Sequence, residues 1–130
     1  MDLHENEISQ IVFDCGLRLH RELGPGLLES IYEECLFYEL SESGLFVERQ
    51  KALPVVYKGR TMEHFYRVDL LLNGKVIVEV KACDALHNLH LAQVLTYLKL
   101  SKCRLGLLIN FNVSYFKTGY KRVIHGDVAL

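Results

Sequence analysis

The stretch Val68-Asp69-Leu70-Leu71-Leu72-Asn73-Gly74-Lys75-Val76-Ile77-Val78-Glu79-Val80-Lys81 sets two carboxylates and a lysine among aliphatic side chains. Two adjacent carboxylates can hold a hard divalent cation such as Mg²⁺, which keeps several waters and takes a further oxygen from a substrate phosphate. A lysine beside them can orient or help deprotonate an attacking water. The plainer alternative is an Asp–Lys or Glu–Lys ion pair on a solvated sheet face. A second polar set, His90, Gln93 and Tyr97, has the three- and four-residue spacing of one helix stripe. Its alternative is an ordinary solvated helix face, and His90 and the nearby His87 read as solvated or hydrogen-bonded histidines rather than as ligands.

Whether the carboxylates meet depends on strand parity. In Lys75–Lys81 the valines 76, 78 and 80 point to one face, so Glu79 and Lys81 share the other. A two-residue Asn-Gly loop would pair Asp69 with Val78 and turn it away from Glu79. A three-residue loop with Gly74 in the left-handed bulge position pairs Leu71 with Lys75 and Asp69 with Ile77. That register also sends Val68 and Leu70 into the core, so the hydrophobic pattern favours convergence of Asp69, Glu79 and Lys81.

The surrounding elements follow from periodicity. Ile8, Ile11, Val12, Cys15, Leu19 and Leu23 predict a helix over Glu7–Leu23, Gly24-Pro25-Gly26 breaks it, and a second helix runs from about Leu27 to Ser41. Strands are expected at Phe46–Gln50, Leu53–Tyr57, Met62–Leu72 and Lys75–Lys81, forming an antiparallel meander. A third helix is expected from Asn88 to Ser101, a buried strand at Leu105–Phe111 and a short last strand at Tyr120–Ile124. The crossover through the third helix makes Lys75–Lys81 and Leu105–Phe111 parallel. The expected fold class is α/β, with helices packed on a mixed, α+β-like sheet.

A chain of 130 residues, half of them hydrophobic and 24% charged, is expected to form one globular domain over 1–130, neither disordered nor membrane-spanning. The start Met1-Asp2-Leu3-His4-Glu5-Asn6-Glu7 resembles no secretion signal, so a cytoplasmic protein without disulfides is expected. Cys15, Cys35, Cys83 and Cys103 form no C-x-x-C pair and read as small buried hydrophobes. The net charge of −1 conceals an asymmetry: residues 1–50 carry eleven acids against three bases, and residues 51–130 twelve bases against five acids. A polyanion would meet the basic part, although charge alone decides nothing.

Asp69, Glu79-Val80-Lys81 and Gln93-x-x-x-Tyr97 together resemble the PD-(D/E)xK nuclease superfamily in the version with a Q-x-x-x-Y helix. Gly26-Leu27-Leu28-Glu29-Ser30-Ile31-Tyr32 is similar to the G-x-x-E-x-x-Y signature of a small prokaryotic family placed there. The likeness runs from about Glu7 to Ile124 and includes Glu48-Arg49-Gln50, Tyr66–Leu71 and Leu107–Phe111. The proline of the superfamily name is replaced by Val68. The resemblance implies a restriction-endonuclease-like core, αβββαβ, with one extra N-terminal helix. It also implies Asp69, Glu79 and the backbone carbonyl of Val80 as metal ligands, Lys81 serving the attacking water, Glu29 supporting the metal site, and Gln93 and Tyr97 positioning the phosphate or the metal's outer shell. Mg²⁺ is the implied cofactor, with Mn²⁺ a substitute.

Read from its own position, Glu29 lies near the start of the second helix, where an acid favours the helix dipole and caps free amides. Tyr32 reads as a packing residue with a hydrogen-bonded hydroxyl. The expected function is Mg²⁺-dependent hydrolysis of phosphodiester bonds in nucleic acid, DNA being the expected substrate. The alternative is a non-catalytic module that keeps the fold and binds nucleic acid or a partner. A homodimer or larger complex is a further expectation, and a membrane is not.

Overall fold

The computed structural model describes residues 2–126; of the expected 1–130 domain, Met1 and residues 127–130 lie outside the described residues. The first helix, α1 (Glu5–Leu23), buries Ile8, Val12, Cys15 and Leu19 along one stripe. Its first turn is closed reciprocally: His4 Nδ1 accepts the Asn6 N–H at 3.0 Å, and Glu7 Oε1 accepts the His4 N–H at 3.0 Å. Gly24 and Gly26 then take φ of 68° and 97°, turning the chain into α2 (Glu29–Glu42). The buried Tyr32 holds this turn. Its hydroxyl donates to the Gly24 carbonyl at 2.5 Å and accepts the Leu27 N–H at 3.1 Å, and its ring stacks on Phe111 at 4.8 Å.

Strands β1 (Val47–Tyr57), β2 (Arg60–Leu72), β3 (Val76–Lys81), β4 (Leu105–Asn110) and β5 (Tyr120–Ile124) form one sheet in the order β1-β2-β3-β4-β5. All neighbours are antiparallel except β3 and β4, which are parallel and joined by helix α3 (Asn88–Ser101). This is the expected mixed α/β architecture, with α1 preceding an αβββαβ core and β5 closing the edge. A core of Ile8, Val12, Leu36, Leu40, Leu70, Leu72, Val76, Val78 and Val80 joins one sheet face to α1 and α2. A second core of Leu53, Val68, Ile77, Val94, Tyr97, Leu98 and Leu108 joins the other face to α3. Gly106 lets α3 sit close, since a Cβ there would come within 2.6 Å of Val94 Cγ1.

Four details differ from the sequence reading. Phe46–Gln50 and Leu53–Tyr57 are one strand, bent at Gln50 (φ 51°) and bulged between Pro54 and Val56; β1 is an edge strand, where proline is tolerated. The β2–β3 register is shifted by two residues from the expected one, pairing Leu72 with Val76, Leu71 with Ile77 and Leu70 with Val78. Asn73 and Gly74 both adopt positive φ, and the Lys75 N–H closes the turn on the Leu72 carbonyl at 3.0 Å. A shift of two keeps the parity of every side chain, whereas a slip of one would turn Val78 and Val80 out of the core at about 1.5–3 kcal/mol each.

The third difference lies at Asp69. Leu70 and Leu72 pack in the first core but Val68 packs in the second, and across the pair Val47 packs against the first core while Leu53 lies in the second. The β1–β2 ribbon therefore changes faces at Gln50 and Asp69. Fourth, a short 3-10 turn, Phe116–Gly119, goes unsignalled by periodicity, and its Phe116 ring lies against Gly16 of α1. Cys15 and Cys103 occupy the two separate cores, and all four cysteines are free thiols. No helix among the described residues is long and apolar enough to cross a membrane.

Candidate active site

The change of faces puts Asp69 where α2, the sheet and α3 all have access to it. Backbone pairing of β2 with β3 runs through Leu70 and Val78, and the next two N–H groups are taken by carboxylates instead. The Asp69 N–H donates to Glu79 Oε2 at 2.7 Å, and the Val80 N–H donates to Asp69 Oδ2 at 2.8 Å. The two acids thus hold each other's strands apart. In a strand the N–H and C=O of one residue point to the same neighbour, so the Val80 carbonyl faces this opening too.

Other side chains complete the surroundings. Gln50 Nε2 donates to Asp69 Oδ1 at 3.2 Å and to Glu33 Oε1 at 2.8 Å. Glu33, buried on α2, also accepts from Arg49 Nε at 2.8 Å. Lys81, half-buried at the end of β3, makes no ion pair with either carboxylate among the described residues. The simple ion-pair alternative therefore does not describe this strand face. From α3, the buried Tyr97 ring lies 5.3 Å from Tyr66, and Gln93 and His90 border an open groove of about 390 Å³ with Tyr66.

Burial dominates the electrostatics. Asp69 is pushed up to about 6 by burial, against the Val80 hydrogen bond and with the help of the Glu33 charge. Glu79 is pushed up to about 8 by burial and by the charge on Asp69; the Asp69 N–H and Lys81 pull it back. Tyr97 is pushed up to about 12 by burial and then by the charges on Glu79 and Asp69. Two carboxylates, Glu79 buried and Asp69 half-buried, that resist joint ionisation suit a cation, which would favour both charges at once. Among the described residues there is no group of three or more His, Cys, Asp or Glu poised as ligands. Two carboxylates, one carbonyl and water match a hard ion that keeps part of its hydration shell, as Mg²⁺ does.

Several residues singled out from sequence lie elsewhere. Glu29 is exposed in the first turn of α2, with no side-chain hydrogen bond among the described residues, and the α2 acid that reaches Asp69, through Gln50, is Glu33, one turn later. The usable signal was that turn: i and i+4 share a helix face, and Tyr32, Leu36 and Leu40 mark the buried side. Gln50 likewise had no assigned part. Tyr97 does not stand on a solvated stripe with His90 and Gln93 but is packed in the second core beside Val94 and Leu98. His90 Nδ1 accepts the His87 N–H at 3.1 Å at the start of α3, a hydrogen-bonded role.

Comparison with known proteins gives one positive result. The family model described as the PD-(D/E)XK nuclease superfamily matches residues 6–123. Searches of curated proteins and of solved structures give no match. The match spans β1 to β4, β5 up to its last residue but one, and every residue around Asp69, and the chain belongs to the PD-(D/E)XK nuclease superfamily.

Proposed function

We propose that this chain is a single-domain, Mg²⁺-dependent nuclease that hydrolyses phosphodiester bonds, with DNA as its substrate and Mn²⁺ able to replace Mg²⁺. Within the superfamily we place it in the group carrying the G-x-x-E-x-x-Y signature, on the residues Gly26, Glu29 and Tyr32. The observation that carries the reading is the crossed pair of hydrogen bonds that draws Asp69 and Glu79 into one opening of the sheet. Four free thiols suit a reducing cytoplasm.

In this reading Asp69, Glu79 and the Val80 carbonyl hold the cation. When bound, Mg²⁺ supplies positive charge to a phosphate oxygen and acidifies water. Lys81, on the same strand face as Glu79 and without an ion-pair partner among the described residues, is free to orient the attacking water by donating a hydrogen bond to its oxygen. Gln93 can accept from a water and donate to a phosphate oxygen through one amide. Glu33 does not compete for the cation, because Arg49 and Gln50 occupy both of its oxygens; it fixes Gln50, which in turn fixes Asp69.

The test is nicking of supercoiled plasmid by the purified protein with Mg²⁺, compared with Asp69→Ala and with EDTA. Cleavage by the wild type alone, and only with metal, supports the reading. Binding without any metal-dependent cleavage would instead favour the non-catalytic module.

A further inference from the structure

Apart from Leu53 in the second core and Tyr66 against Tyr97, the side chains of the outer half of the β1–β2 ribbon lie outside both cores. β3 pairs only with Leu70–Leu72, so β2 from Arg60 to Arg67 has β1 as its sole strand partner among the described residues. A two-stranded ribbon in water is marginal by itself, yet this one displays Tyr57, Phe65 and Tyr66 at 61%, 50% and 42% exposure. Cations are interleaved with these rings. Residues 51–67 hold Lys51, Lys58, Arg60 and Arg67 against the single acid Glu63. Lys51 is engaged by Glu48 at 2.8 Å. Lys58 lies 5.5 Å over the Tyr57 ring and Arg67 lies 5.1 Å over Phe65, while Arg67 also donates to the Gln50 carbonyl at 3.3 Å.

The ribbon is continuous with the site. A groove of about 410 Å³ on the ribbon, bordered by Val55, Met62, His64 and Phe65, shares Tyr66 with the groove that runs past Gln93. Tyr66 in turn touches Tyr97, which packs in the second core with Val68, the residue before Asp69. Tyr66, opposite Leu53, turns its ring to the α3 side of the ribbon, while its strand neighbour Phe65, with Arg67 over it, turns to the other side, so rings and cations on both faces of the ribbon offer stacking for bases and charge for phosphates. A duplex has its base faces covered by their neighbours, so such rings find a partner only where bases are unpaired. A neutral lipid surface or an apolar protein patch would use the apolar area but leave Lys58 and Arg60 without counter-charge.

We propose that the outer β1–β2 ribbon is a binding arm for an unpaired nucleic-acid strand, which it leads past Tyr66 toward Asp69 and Glu79. This rests on the nuclease reading only for the destination of the strand, so binding and cleavage are measured separately. Binding of a labelled oligothymidine and of a blunt duplex is followed by fluorescence anisotropy in EDTA. The wild type should prefer the single strand by roughly tenfold or more, and Phe65→Ser and Tyr66→Ser should each weaken it about fivefold or more. Lys58→Glu, at the exposed turn and remote from both cores, should also weaken binding and flatten its salt dependence. Tyr115→Ser, an exposed ring elsewhere at 76% exposure, should bind as the wild type does. Equal affinity for strand and duplex, no binding of either, or ribbon variants that bind normally would overturn the arm. Plasmid nicking that persists in that case leaves the nuclease reading standing; ribbon-dependent strand binding without nicking leaves the arm standing and removes the nuclease.

Discussion

Asp69 donates its backbone N–H to the Glu79 carboxylate at 2.7 Å, while its own carboxylate takes the N–H of Val80, the residue next to Glu79. Each acid therefore replaces a rung of the β2–β3 ladder, and the opening between the strands exists because the acids fill it. Removal of either one should change the backbone as well as the charge, which is why the conservative amides are the more informative variants.

The raised values of this pair fix the sign of a pH effect. Asp69 moves from 3.8 to about 6 and Glu79 from 4.5 to about 8, so the folded state binds protons more tightly than the unfolded chain. The stabilising contribution is complete below about pH 4 and is lost as pH rises through 6 and 8. Metal-free protein should therefore melt at progressively lower temperature between pH 5 and pH 9. Added Mg²⁺ should raise the melting temperature most at the alkaline end. A metal-free melting temperature that is flat or rising across that window would contradict the electrostatic account.

Lys81→Ala should leave folding and cation affinity near those of the wild type but slow cleavage by about 10²-fold or more, the loss expected for a group that serves the nucleophile. Steady-state nicking rates set against calorimetric Mg²⁺ titrations separate the two quantities. Wild-type turnover in this variant would leave Lys81 no part in the reaction.

Glu33 and Glu29 make a paired comparison. Glu33→Ala removes the buried carboxylate that the exposed Arg49 and Gln50 donate to and should cost about 1–3 kcal/mol, with a further loss of cleavage as Gln50 no longer steadies Asp69. Glu29→Ala, at an exposed position without side-chain partners among the described residues, should lie within about 0.5 kcal/mol of the wild type and cleave normally. Denaturant titrations and nicking rates read both. The reverse ranking would restore Glu29 to the site.

Gln93→Leu should lower activity more than stability, because Gln93 is only half-buried at the groove and not part of either core. A melting temperature lowered by many degrees with normal cleavage would make it a packing residue.

Why some of this was legible in the sequence and some was not has physical reasons. Parity is a robust property of strands: Val76, Val78 and Val80 leave Glu79 and Lys81 no other face, and a register two residues off carries the same message about Asp69. Helix periodicity located α1 and α3 for the same reason. The twist at Gln50 had no such signal, since a glutamine at φ 51° is indistinguishable in sequence from one in a regular strand. Without that twist, Val68 and Leu70 read as one core and Glu33 has no route to Asp69. Tyr97 was misplaced because a phenol suits either a polar stripe or a core edge, and only the packing of α3 near Gly106 decides between them.

The central claim is that Asp69 and Glu79 together hold one divalent cation, and calorimetric titration of Mg²⁺ into wild type, Asp69→Asn and Glu79→Gln tests it most directly. The account predicts one binding event per chain in the wild type, with proton release at neutral pH, and at least tenfold weaker binding in each amide variant. Binding of equal strength in all three proteins, or none in the wild type at millimolar Mg²⁺, would contradict it.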